Sequence, residues 1–250
     1  MIDIAPTIVE SAPRSLSLQT YLLGTIEFDA ALRLQRRLVY DVAGDRSSSS
    51  IVVCEHPPTI SVGRDGSRTH IRIEPAELRV RGWPIRWVNR GGGCLLHVPG
   101  QIAAYVVAAL DIRRIDVRSY LDRLHAAAAR VVQDFDVSVE TPADRPGVWA
   151  DGRLLGHVGI AVRDWIAYFG LCLNVNPDLA PFRYVDCAGS GRPPMTSLER
   201  ERRGAVRHSA VRQRLIEELA RGLECDRVAL FHSHPALAAA DRRRPCPVGS

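Results

Sequence analysis

Two stretches of the chain carry residue types able to do chemistry. The first runs Asn89-Arg90-Gly91-Gly92-Gly93-Cys94-Leu95-Leu96-His97-Val98-Pro99-Gly100-Gln101. Three consecutive glycines let backbone lie against a ligand and offer N–H groups with no side chain in the way. The same spacing equally suits a glycine-rich turn between strands. It lacks the G-x-x-x-x-G-K-[ST] pattern, so nucleotide phosphate is not implied. The second stretch runs from Gly170-Leu171-Cys172-Leu173-Asn174-Val175 to Val185-Asp186-Cys187-Ala188-Gly189. Cys187 sits past a predicted strand end, and the small residues after it would keep its sulfur accessible and offer N–H donors to an oxyanion. The competing reading is the usual fate of a free cysteine, a small buried hydrophobe. Cys54 and Cys172, inside apolar strands, fit that reading better. His232-Ser233-His234 has no Cys or carboxylate partner at ligand spacing, so no metal site is expected. His125, on a helix among alanines, reads as a surface or packing residue.

Composition narrows the setting. At 250 residues, 46% hydrophobic and 24% charged, the chain suits one well-cored α/β domain. No apolar run approaches the roughly 20 residues of a membrane span, and no apolar stretch follows a basic N-terminal segment. Six widely spaced cysteines without a C-x-x-C pair fit a reduced cytosol better than a disulfide framework. A cytoplasmic protein without membrane contact is therefore expected. The net charge of +5 allows an acidic partner but is too weak to name nucleic acid, and none is expected. All 33 basic side chains are arginine, so no step can use a lysine amine of this chain.

The elements that would position these residues follow from periodicity. Leu18 to Leu23 reads as a strand, and Ala31, Leu34, Leu38 and Val42 recur at helical spacing. Ser47 to Ser50 is read as a loop. Short apolar runs at Ile51–Cys54, Thr59–Val62, Ile85–Val88 and Ile102–Leu110, separated by Pro and Gly, read as strands. Val117, Tyr120, Leu121, Leu124, Ala128, Val131 and Phe135 mark one face of a helix. Asp151-Gly152 between apolar flanks predicts a hairpin, followed by strands to Val162 and from Trp165 to Val175. Val211 to Leu223 closes the domain as a helix. With no repeated βαβ unit, the expected fold class is α/β, a mixed sheet with packed helices. Residues 1–15 and 231–250 read as disordered ends flanking one domain over 16–230.

Taken in order, the motifs resemble a known family. Glu55-His56-Pro57-Pro58 with Ser61-Val62-Gly63-Arg64, R-G-G-x-x-x-x-H-x-P-G-Q from Arg90 to Gln101, and G-x-x-L-N-V from Gly170 to Val175 look like successive signatures of the octanoyl-ACP:protein octanoyltransferases. Asp178-Leu179, Phe182, Cys187 and Thr196-Ser197-Leu198 continue the match, which covers roughly residues 18–225. The resemblance implies a biotin/lipoate protein ligase-like catalytic domain, with no cofactor. It also implies ping-pong transfer of octanoyl or lipoyl from acyl carrier protein to the lysine of a lipoyl domain, in 2-oxoacid dehydrogenase E2 subunits or glycine cleavage H protein. By resemblance Cys187 bears the acyl group. Arg90, Gly91, Gly92, Gly93, Cys94, Leu95, Leu96 and His97, then His157, Val158 and Gly159, then Gly170, Leu171 and Cys172, match stretches that line the acyl pocket.

The departures matter as much. The family's catalytic lysine lies five residues before the glycine that here is Gly159, and that position is Leu154. The histidine before Gly170 is Phe169, and the usual proline before the cysteine is absent. A thiol without a cationic neighbour is only a few per cent ionised at neutral pH. Arg153, His157 and His97 are the candidate substitute activators. On a strictly alternating strand Leu154 and His157 face opposite ways, and a bulge would be needed to bring His157 or Arg153 across. Two other readings stand beside transfer: a catalytically impaired paralogue that binds acyl chains, acyl carrier protein or lipoyl domains, and an ATP-dependent lipoate or biotin ligase, which the lack of lysine opposes.

Overall fold

The computed structural model describes residues 15–187 and 194–237. Strand β1 (Ser17–Thr25) leads into helix α1 (Phe28–Gly44), whose Phe28, Ala31, Leu34, Leu38 and Val42 are all buried, as their helical spacing requires. Strand β2 (Ser48–Glu55) begins three residues before its apolar run. Ser48–Ser50, read from sequence as loop, are strand because they pair with β1, and the buried Ser49 hydroxyl accepts a bond from Arg113 Nη2 at 2.7 Å. Small hydroxyls are tolerated inside a sheet when so satisfied.

β3 (Thr59–Val62), β4 (Ile85–Trp87) and β5 (Cys94–His97) form a small sheet in the order β4-β3-β5, with helix α2 (Pro75–Arg81) entering between β3 and β4. The remaining strands, β6 (Gln101–Ala109), β7 (Val148–Ala150), β8 (Arg153–Arg163), β9 (Ile166–Asn174) and β10 (Arg227–Phe231), join β1 and β2 in a seven-stranded sheet ordered β10-β1-β2-β6-β9-β8-β7. Its β10–β1 and β1–β2 pairs are parallel and the others antiparallel, the mixed sheet expected.

Central strand β6 is buried along its whole length. Ile102, Ala104, Val106 and Ala108 face a core completed by α3 (Val117–Gln133) and α4 (His208–Gly222). Ala103, Tyr105, Val107 and Ala109 face α1, so period-two alternation serves two cores at once. A third cluster lies between the small sheet and one end of the large one, and contains Leu96, Leu154 and Cys187.

The Asp151-Gly152 turn has φ of +47° and +71°, the pair a tight type I′ hairpin needs. Beyond it β8 departs from alternation. Trp149 pairs with Leu154 but Val148 pairs with Gly156, leaving Leu155 as an extra residue. This bulge puts Leu155 into the same core as Val158 and Ile160, while Leu154 turns to the third cluster. Strand β10 has no counterpart in the sequence reading, which starts the terminal tail at residue 231. All five of its residues are exposed, yet Phe231 stacks on Tyr21 at 5.3 Å, and the His234 ring meets Tyr21 edge-on at 4.9 Å. The expected disordered ends otherwise lie outside the described residues.

Candidate active site

The glycine-rich segment packs backbone against backbone. A Cβ on Gly63 would lie 2.3 Å from the Gly92 carbonyl oxygen, and one on Gly159 would lie 2.7 Å from that of Gly91. Only glycine permits this approach, which fastens the 91–93 loop between β3 and β8. Two of the loop's N–H groups are used structurally rather than offered to a ligand: Gly91 N donates to Ile160 O at 2.8 Å, and Gly92 N to Asp65 Oδ2 at 2.9 Å.

Arg90 leaves this loop inward and is 4% exposed. Among the described residues its guanidinium bonds Ser61 O (3.0 Å), Ser61 Oγ (2.9 Å) and Gly91 O (3.0 Å), with no carboxylate in ion-pair range. A buried cation compensated only by neutral oxygens is expensive in a merely structural role. Ser61 Oγ continues to His97 Nε2 at 3.0 Å. The His97 ring lies against Phe28 (4.8 Å) and edge-on to His56 (5.4 Å). Burial, reinforced by His56, Arg90 and His157, holds His97 well below the usual histidine range, so it is neutral at pH 7.

Arg90 and His97 lie in the wall of a narrow cavity of about 20 Å³. The rest of its wall is Phe28, Leu95, Ala103, Tyr105, His157, Gly159, Phe169, Gly170, Leu171 and Cys172. Its free space is about that of one water, far below that of a small-molecule site, although its mixture of many apolar and few polar groups is typical of such sites. Gly159 and Gly170 are directly paired across β8 and β9. His157 lies over Gly92 and Gly159, and burial with the nearby Arg90 charge pushes its pKa down to about 3. The bulge in β8 is what turns His157 to this side. His157 also faces an open groove of about 460 Å³ between the glycine loop, α3 and the 141–146 segment. His125 lies in that groove wall, half-buried, its Nδ1–H donated to Leu121 O at 2.9 Å. Val158 belongs to the groove and to the first core rather than to the cavity.

Cys187 is buried at 1% exposure, not accessible as its small neighbours suggested. It packs in the third cluster with Leu96, Cys94, Val185 and Leu154, because the Val185 bridge to Ile71 and the Asp186 N–H bond to His70 O draw the segment under the small sheet. Burial pushes its thiol up to about 12, against the lowering pull of the Leu96 N–H and the Arg90 charge. Cys187 is not itself part of the cavity wall. Arg90 and Cys172, which are, lie close enough to it to couple electrostatically. Cys94 is buried with its thiol on Ser67 O at 3.6 Å. Arg153 is held elsewhere, by Glu201 through two bonds of 2.9 Å and by Asp151 at 3.1 Å. A guanidinium so neutralised has little charge to lend a distant thiol. Of the cationic side chains considered, Arg90 is the one whose charge reaches Cys187.

Ser61, Phe28, Ala103, Tyr105 and Phe169 belong to the site but were not named from sequence as site residues. The signal for Ser61 was its place in the Ser61-Val62-Gly63-Arg64 motif. Other motif residues turn out to be scaffold. Val98 N donates to Gln101 Oε1, Gln101 Nε2 to Asn174 Oδ1 and Asn174 Nδ2 to Thr196 O, at 2.8, 2.8 and 2.9 Å. This buried amide chain ties three separate motifs together and positions the strand-like segment that pairs with Leu154.

Comparison with known proteins places this fold among those of the lipoate-protein ligases. A solved lipoate-protein ligase A bound with ATP superposes with a TM-score of 0.74 at 15% identity, over 91% of this chain and 93% of that one. The profile of the lipoyl protein ligase A/B catalytic domain matches residues 27–220, and the chain belongs to that family. Among its relatives, an octanoyltransferase of Geobacter metallireducens is 37% identical over 70% of this chain and 79% of its own length. Another, from Nitratidesulfovibrio vulgaris, is 32% identical over 88% and 96% respectively.

Proposed function

We propose that this chain is an octanoyltransferase of protein lipoylation, taking octanoyl (or lipoyl) from acyl carrier protein and delivering it to a lipoyl-domain lysine through a thioester on Cys187. The observation that carries the reading is the buried guanidinium of Arg90, with no carboxylate in range among the described residues, in the wall of a largely apolar cavity, in a family whose relatives bear that activity. An acyl thioester, an apolar chain bearing a polar carbonyl, matches such a lining. The Cys187 sulfur would attack the acyl carbonyl, and the bond to the carrier sulfur would break as the carrier thiolate leaves and takes a proton. The acceptor amine would then form the amide, return its proton, and free Cys187. Among the described residues no helix is long and apolar enough to cross a membrane, in keeping with soluble carrier partners.

One observation favours the second reading, a paralogue kept for binding: the place of the family's lysine is a buried leucine and the thiol beside it is raised to about 12. Incubation with octanoyl-loaded carrier, followed by intact mass and peptide mapping, separates the two. Transfer requires an octanoyl adduct on Cys187 that a lipoyl domain discharges. Tight binding of the loaded carrier without any adduct identifies the paralogue.

A further inference from the structure

Two buried histidines lie 5.4 Å apart, and their hydrogen bonds differ in a way that assigns them different work. His56 is satisfied at both nitrogens. Its Nδ1–H has the Ile26 carbonyl at 2.7 Å, and its Nε2 has the Tyr105 hydroxyl at 2.7 Å. It is a structural residue, neutral because burial pushes its pKa down to about 4.

His97 is satisfied on one side only. Arginine carries donors and no acceptor, so at the 2.9 Å contact between Arg90 Nη2 and Ser61 Oγ the serine oxygen accepts. The serine's single proton is then directed to its other partner among the described residues, His97 Nε2 at 3.0 Å. With the proton placed there, Nε2 accepts and the neutral imidazole carries its own proton on Nδ1; the reverse arrangement, Nε2–H donating to the oxygen's second lone pair, would leave both the serine proton and Nδ1 without a partner among the described residues. That nitrogen is buried and has no partner among the described residues, while the ring it belongs to lines the cavity beside Arg90. An orphaned donor in a dry site is costly at rest and becomes useful when negative charge forms beside it.

Resting on the octanoyl-transfer reading, we propose that His97 presents Nδ1–H to the acyl carbonyl oxygen as an oxyanion donor, and that Ser61, itself held by Arg90, is the positioning residue that fixes this tautomer. When the Cys187 sulfur forms its bond to the carbonyl carbon, the carbonyl π pair moves onto oxygen and is met by the Nδ1–H bond. No proton is transferred to it. Collapse re-forms the carbonyl and breaks the carbon–sulfur bond to the donor, whose thiolate leaves and is protonated by solvent. His97 thus acts on the substrate rather than on the thiol.

The test is single-turnover acylation by an octanoyl-pantetheine thioester, read by intact mass, beside ring ¹⁵N NMR of His97 at neutral pH. The wild type is expected to show the Nδ1–H tautomer. Ser61→Ala should give a mixture of tautomers and lose about 10- to 100-fold in acylation rate with KM changed less than about twofold, since one donor of this kind is worth about 10²–10³ in kcat. His97→Asn, whose amide nitrogen falls near Nδ1, should retain more activity than His97→Gln, whose amide nitrogen falls near Nε2. A wild-type Nε2–H tautomer, or Ser61→Ala acylating at the wild-type rate, overturns the proposal while leaving the transfer reading intact. A wild type that forms no adduct overturns the transfer reading, and this proposal with it.

Discussion

Leu154→Lys is expected to activate Cys187, and the size of the effect follows from the site. The thiol is held at about 12, so at pH 7.5 only about 3 in 10⁵ molecules carry thiolate. Leu154 and Cys187 belong to one buried cluster, so the four-carbon stem of a lysine at 154 can reach toward the sulfur. At about 4 Å and an effective dielectric near 20, the ammonium charge is worth about 4 kcal/mol to the thiolate, or roughly three pKa units. The thiolate fraction then rises about a thousandfold. A thiolate of lower pKa is less nucleophilic, with a Brønsted slope of about 0.4–0.5, which takes back about 20- to 30-fold. The net gain at pH 7.5 is about 30- to 50-fold. The assay is the rate of Cys187 alkylation by iodoacetamide against pH, located by peptide mapping. Wild-type rate should climb about tenfold per unit from pH 7 past pH 10, and the Leu154→Lys profile should level near pH 9. Leu154→Met controls for altered packing, and a thermal melt confirms that the variant is folded. An unshifted profile, or a wild-type profile already levelling near pH 8.5, would refute the reasoning.

Three further outcomes are expected. His56 and His157 are held at about 4 and about 3 in the fold against about 6.5 unfolded, so their neutral burial is fully tolerated above pH 6.5 and stability falls as pH drops toward those values. At pH 5 the loss is about 2 kcal/mol for each, about 4 together, and a urea midpoint unchanged between pH 7 and 5 would contradict it. Gly63→Ala forces a methyl group to 2.3 Å from the Gly92 carbonyl and should cost about 3 kcal/mol or more by chemical denaturation, whereas Gly44→Ala meets open space and should be neutral or slightly stabilising. Arg90→Met removes a buried cation that has no carboxylate partner among the described residues, so thermal stability should hold or rise while octanoyl capture is lost; a variant that melts far lower would make Arg90 structural.

Local rules were enough for much of this molecule. Helical spacing of Ala31, Leu34, Leu38 and Val42 places α1, the Asp151-Gly152 pair dictates its hairpin through two positive φ angles, and the ordered motifs reveal the family. Those features depend on neighbours in the chain, so a sequence displays them. What only the tertiary structure decided depends on neighbours far away. The bulge at Leu155 reverses the facing of β8 and puts His157 and Leu154 on the site's side, because β7 must pair on both sides of the extra residue. Cys187 is buried because its segment is drawn under the small sheet by Ile71 and His70, more than a hundred residues earlier. Arg153 is taken out of the site by Glu201, 48 residues later, and Arg90 is brought into it by Ser61, 29 residues earlier. A cysteine's position can be read from a motif, but its ionisation is set by the charges and apolar groups that folding assembles around it.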